Sequence, residues 1–245
     1  MVLVVACAGI ASAYGATTLL PPLQVAILDS FKPTKLPRNH LTPIHLKVEG
    51  TVNTTDGTHP PALSKVIGEL GKNAAIDTKG LPACKVIRIT AVEMPTAANA
   101  CKLAQVGKGE MEVEVEFAES PPFIAKSKLL AFNGGVKGGV RTIYLYAFLK
   151  NPVSAAVVTT VKVKKIHKSH FGTKLIISLP TIAGGSGSVR KLKFEFFRTF
   201  VFKDEKRSFI SAKCTDGKLQ ARWEAKFADG SLTTDQVIQP CTLRD

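Results

Sequence analysis

Met111-Glu112-Val113-Glu114-Val115-Glu116-Phe117 alternates apolar and acidic residues with a strict period of two. Successive side chains of a β-strand point to opposite faces of the sheet. The heptapeptide therefore sends Met111, Val113, Val115 and Phe117 to a core and the three glutamates to the other side. The same alternation returns with lysines in Val161-Lys162-Val163-Lys164, and again in Leu192-Lys193-Phe194-Glu195-Phe196. Working outward from these, strands are predicted over 23–28, 45–52, 65–70, 124–132, 142–149, 174–179, 208–213, 220–227 and 232–238. Turn dipeptides divide them: Asp56-Gly57, Asp216-Gly217 and Asp229-Gly230, with glycine pairs at 134–135, 138–139 and 184–185. Residues 32–43 hold three prolines and are expected to form a long loop. The stretch 95–106 alone reads as helical, with proline near its start, alanines within and Gly107 beyond its end. No strand–helix alternation supports a parallel α/β sheet. The expectation is an all-β protein, an antiparallel β-sandwich or jelly roll with one short helix near 95–106, folded as a single domain over 16–245.

With 245 residues, 45% of them hydrophobic and 21% charged, the chain has enough apolar material for a real core, which excludes general disorder. Lysine and arginine number 33 against 19 acids, a formal charge of +14. The aromatic residues are 13 Phe with 3 Tyr and 1 Trp, so no Tyr- or Trp-rich binding surface is evident; Trp223 itself reads as core. No glycine-rich phosphate loop, helix-turn-helix or exposed aromatic pair accompanies the basic residues, so specific nucleic-acid binding is not expected.

Residues 1–13, MVLVVACAGIASA, form an uncharged apolar run ending in Ala11-Ser12-Ala13. That is the pattern of a cleaved export signal, although the basic residues that usually precede such a run are missing. It is too short for a transmembrane helix, which needs about 20 apolar residues. Val4-Val5-Ala6-Cys7 also resembles a lipobox, and a lipid anchor at Cys7 would require a start further upstream. Removing the signal leaves Cys84, Cys101, Cys214 and Cys241, an even number that fits two disulfides in an exported chain. Sequence separation favours the local pairs Cys84 with Cys101 and Cys214 with Cys241. No Cys-x-x-Cys or Cys/His spacing calls for zinc, and neither a metal nor a cofactor is expected.

Several groups are candidates for chemistry. Asp56 and His59 lie three apart in Asp56-Gly57-Thr58-His59-Pro60-Pro61, a rigid loop that would suit part of an acid–base or metal site. The plainer alternative is a turn whose aspartate caps its own backbone. His167 and His170 flank Lys168, which disfavours a cation between them, and His40 and His45 have no acid nearby in sequence. Glu112, Glu114 and Glu116 are spaced about 7 Å apart along one strand face, a distance that glycosidases use. A ladder facing Lys162 and Lys164, or Lys191 and Lys193, explains them better. No serine sits in a nucleophile elbow. Asn53-Thr54-Thr55 is formally a glycosylation sequon.

Thr54-Thr55-Asp56-Gly57-Thr58-His59-Pro60-Pro61-Ala62-Leu63, Leu129-Leu130-Ala131-Phe132-Asn133-Gly134, the stretch from Phe171-Gly172-Thr173 to Gly184-Gly185, and Ser211-Ala212-Lys213-Cys214 together resemble a family of uncharacterised exported proteins of actinobacteria. The resemblance spans most of the chain after the signal and includes the four cysteines. It implies export, an all-β fold and two disulfides, and it implies no activity.

The functional expectation is a secreted or extracytoplasmic, non-catalytic protein. It would bind an anionic cell-envelope polymer through a basic surface, with Lys162, Lys164, Lys165, Lys191 and Lys193 as candidate contacts. The alternatives are a carbohydrate-active enzyme, for which Asp56 or Asp77 would have to face a second carboxylate across a cleft, and a structural or adhesion module.

Overall fold

The structure is a computed structural model that describes residues 15–20, 22–151 and 154–244. The segment read as an export signal, with Cys7, lies outside the described residues. Twelve strands make one antiparallel sheet: β1 (Gly15–Leu20), β2 (Leu23–Lys32), β3 (His45–Thr54), β4 (Leu63–Gly71), β5 (Gln105–Phe117), β6 (Ser120–Lys137), β7 (Val140–Leu149), β8 (Ala155–Lys165), β9 (Phe171–Ser178), β10 (Gly187–Phe196), β11 (Lys218–Phe227) and β12 (Leu232–Pro240). Their order is β1-β2-β3-β10-β5-β6-β7-β8-β9-β4-β11-β12. The all-β, antiparallel expectation is met.

Alternation alone does not say how the sheet closes. Here it curls round until the end strands β1 and β12 pack against each other, so the two apolar layers are opposite walls of one nearly barrel-like sheet. Leu23, Val25 and Val52 from one margin bury themselves with Trp223, Ala225, Phe227 and Val237 from the other, which seals the seam. Along β5, Val106, Met111, Val113 and Val115 are buried, while Glu112 and Glu114 lie on the opposite face. The crossing with β10 is close: a Cβ on Gly109 would lie 2.0 Å from the Lys193 carbonyl oxygen. That approach of two backbones requires glycine there.

The helix is shorter than expected. It runs from Met94 to Ala100, followed by a 3-10 turn at Lys102–Ala104. From Gln105 onward pairing with Phe132 and Ala131 of β6 claims the chain for the sheet. The 3-10 turn and helix lie against the outer face of β6 and β7, over Phe132, Tyr144 and Tyr146. Asn133, buried, donates to the carbonyls of Leu81 and Pro82, and the Tyr146 hydroxyl donates to Val92 O. The Cys84–Cys101 disulfide closes this cover.

The proline-rich stretch 32–43 is less irregular than its composition predicts. Lys35–Leu36 pairs with Thr242–Leu243, and Thr42–Pro43 pairs with Ser211 and Ala212. The Cys214–Cys241 disulfide lies at the same end, with Cys214 N–H bonded to Pro37 O. Both disulfides join the cysteines that sequence separation pairs.

Candidate functional site

The alternating residues of the curled sheet point to its interior, but they do not fill it. Ile143 and Leu145 of β7, Val161 of β8, Leu175 and Ile177 of β9, and Leu192 of β10 surround a hollow of about 250 Å³. Its lining is overwhelmingly aliphatic and aromatic. Leu46, Leu145, Leu175, Ile177, Leu192 and Leu219 pack against the core cluster yet are only partly buried. A close-packed interior leaves few voids larger than a water molecule. An apolar hollow as small as about 150 Å³ already stays dry and takes up benzene or xenon.

Asp29 breaks this lining. It follows Leu23, Val25 and Ile27 on the inward face of β2 and precedes Phe31, at a position where the pattern calls for an apolar residue. Gln239 of β12 donates to the Asp29 backbone carbonyl at 2.8 Å. Burial pushes the Asp29 carboxyl above its ordinary value, opposed by a hydrogen bond from the Gln239 side chain. One carboxylate oxygen, Oδ1, is buried with no hydrogen-bond partner, as is the Trp223 indole nitrogen, whose ring also lines the hollow.

Outside the wall, Glu69 of β4 is a nearly fully buried carboxylate set among cations. Lys168 Nζ lies 2.9 Å from Oε1, Arg222 Nε donates to Oε2 at 2.7 Å, and Lys174 stands 3.8 Å away. The guanidinium of Arg222 also covers the Phe171 ring at 4.5 Å. Burial would raise the Glu69 carboxyl, but hydrogen bonds from Lys168 and Arg222, with their charges, outweigh it and hold the group below the ordinary glutamate value.

The structure does not bring Asp56 and His59 together. Asp56 Oδ1 accepts from the Thr58 hydroxyl at 2.7 Å and the Thr58 backbone N–H at 3.1 Å, which closes its own turn. Those bonds, the hydroxyl's first, hold its carboxyl below the ordinary value. His59 instead reaches the sheet: Nδ1 is 2.9 Å from Glu114 Oε1, and Nε2 is 3.0 Å from Ser188 Oγ. Serine, histidine and glutamate in sequence of contact have the spacing of a nucleophilic triad. The burial argues otherwise. Ser188 is 1% exposed, so a substrate does not reach its Oγ, and its hydroxyl donates to Pro60 O at 2.5 Å. The contact between Nε2 and Oγ is therefore structural. Glu114 is further held by Arg190 at 2.8 Å, which also donates to Asn53. The cluster clamps the 54–61 loop to β5 and β10. Replacing Ser188 with Ala should lower stability by about 1–3 kcal/mol, because Pro60 O and His59 lose a partner in a buried place. Urea unfolding measures the loss.

The five candidate lysines do not form one patch. Lys162, Lys164 and Lys165 project from β8 and are exposed, with no ion pair among the described residues. Lys191 and Lys193 sit on β10, four strands away, or roughly 19 Å across the sheet. Both are half-buried in a mixed ladder: Lys191 stands opposite Glu112, and Lys193 opposite Glu110 and Glu49. Lys193 Nζ lies 3.3 Å from Glu49, and Glu112 pairs with Lys126 at 3.1 Å. The acidic face of β5 thus meets β10 and β6, not Lys162 and Lys164. Asp77 is held by Arg207 at 3.0 Å and by the Lys79 N–H. Among the described residues no group of three or more His, Cys, Asp and Glu is placed to hold a metal ion.

Sequence reasoning passed over Asp29, Glu69, Arg222 and Ser188. The one signal available was the aspartate interrupting Leu23, Val25, Ile27 and Phe31. Compared with known proteins, the chain matches no family model, no curated protein and no solved structure.

Proposed function

We propose that this is an exported, non-catalytic binding protein that encloses a small apolar or amphipathic molecule inside its curled sheet. The observation that carries this reading is the hollow of about 250 Å³, whose apolar walls include side chains that remain only partly buried. Unfilled apolar volume of this kind costs stability, about 24 cal/mol per Å³ in cavity series, and a ligand that fills it recovers contacts. Ligand sites are usually concave, mostly apolar and carry few polar groups. Export is supported by the signal-like N-terminus, by the resemblance to exported proteins and by two disulfides, which persist in oxidising compartments. No helix among the described residues is long and apolar enough to cross a membrane.

The test is titration of the folded chain with a fluorescent apolar probe, followed by displacement with alkanes and alkanols of graded length. Saturable binding at one probe per chain is expected. Leu175→Trp, which fills the hollow from β9, should weaken binding at least tenfold while the protein stays folded. Absence of saturable binding for every length, with native folding shown by circular dichroism, overturns the reading.

A second reading, binding of an anionic envelope polymer, is favoured by the outer face of β8. Lys164 stands directly opposite Lys174 across the ladder, with Lys162, Lys165 and Lys168 nearby in sequence and exposed. Like charges directly opposite each other destabilise a sheet, and a polyanion laid across them would relieve it. Replacing Lys162, Lys164 and Lys165 with Gln should reduce retention on isolated cell walls severalfold at physiological salt. Equal loss on cell walls and on DNA would assign the charge to solubility alone.

A further inference from the structure

The walls of the hollow are apolar, yet β2 places a carboxylate in them. An unpaired buried polar group costs stability unless a partner arrives. Leucine or valine at this position would continue the alternation of β2 at no such cost. Asp29 has Gln239 beside it, but its Oδ1 has no partner, and the Trp223 indole N–H in the same lining has none either. An alkane leaves the Asp29 oxygen unpaired, a carboxylate repels it, and a cationic amine would bury a second charge in an apolar hollow. A hydroxyl donates to it without bringing a charge.

We propose that the enclosed ligand is an apolar alcohol: an aliphatic or ring skeleton filling the hollow, with a hydroxyl that hydrogen-bonds to the Asp29 carboxylate. This rests on the reading of the hollow as a ligand site and names the class of molecule that it takes. Burial of the Asp29 carboxyl, which raises its proton affinity, agrees with a group short of partners. Gln239 acts as a positioning residue, holding the β2 backbone at Asp29 through the 2.8 Å bond. A site built to hydrogen-bond a hydroxyl discriminates strongly against the analogue that lacks it, because its own polar groups are then left unpaired.

The experiment displaces the fluorescent probe from the full chain with decane, decanol, decylamine and decanoic acid. It is repeated on Asp29→Leu, which continues the apolar alternation, and on Asp29→Asn, which keeps an oxygen acceptor. Decanol should bind the unmodified protein about tenfold or more tightly than decane, the range expected for one hydrogen bond to a charged group. Asp29→Leu should bind the two equally well, and Asp29→Asn should retain most of the preference. Decanol and decane binding alike to the unmodified protein, or Asp29→Leu keeping the preference, overturns the alcohol proposal while leaving the hollow as a ligand site. Tightest binding by decylamine would reassign Asp29 to a cationic ligand and likewise overturn it. Failure of every compound to displace the probe would instead count against the hollow itself.

Discussion

Replacing both Lys168 and Arg222 with Met should cost the protein about 3–5 kcal/mol, and adding Glu69→Gln to the same chain should restore most of it. Glu69 is nearly fully buried, while the cations around it are 30–49% exposed. The effect is therefore asymmetric. Lysine and arginine heads left without Glu69 can turn to water, whereas the Glu69 carboxylate left without them stays inside with only Lys174, at 3.8 Å, to compensate. Breaking such a group by removing its partners is far more damaging than replacing the whole set. The pH dependence follows from the lowered Glu69 carboxyl. In the unmodified protein its contribution is fully present above the ordinary glutamate value, about 4.3, and is lost as pH falls through the lowered folded value. In the double variant the sign reverses, because protonating an unpartnered carboxylate relieves the burial. Urea unfolding at neutral and at mildly acid pH separates the two behaviours. A double variant as stable as the parent would show that Glu69 needs no partner.

The second large effect concerns Cys214 and Cys241. Changing both to Ala should remove about 3.5 kcal/mol, the chain-entropy value for a loop closed over 27 residues. Two features keep the measured loss near that figure. Cys214 is fully buried, and its N–H bonds to Pro37 O, so the link ties the 32–43 segment, the strand at Ile210–Ala212 and the C-terminus to one end of the sheet. The Cys84–Cys101 bond closes a shorter span of 17 residues and fastens a cover on the outer face, so its removal should cost less. Equilibrium unfolding of the two double variants, oxidised and reduced, orders them. A loss below about 1 kcal/mol for the Cys214–Cys241 pair would mean that residual structure in the unfolded chain already keeps those two positions close.

Much of this architecture is legible in the sequence, for a simple reason. Period-two alternation is local: Glu112, Glu114 and Glu116 declare their strand with no knowledge of its neighbours. Which neighbours they have is not local. Glu112 meets Lys126 and Lys191, and Lys162 lies on the far side of β6 and β7. The disulfide pairing was legible because each pair is close in sequence. The hollow was not, since inward side chains follow the same alternation whether they meet at the centre or stop short of it. Asp29 was hidden by a boundary. Asp29-Ser30 reads as a strand end, yet β2 continues to Lys32 because ten consecutive pairs with β3 outweigh the low strand propensity of the two residues. The clamp of His59, Glu114 and Ser188 joins residues 55 and 129 positions apart, and no spacing rule connects them.

The central claim is that the interior of the curled sheet holds an apolar ligand, and its most direct test is the structure of the full chain with bromodecane bound. The account predicts a single bromine peak inside the sheet, in contact with Ile143, Leu175 or Leu192. Bromine found only on the outer surface, with the interior walls collapsed onto one another, would contradict it.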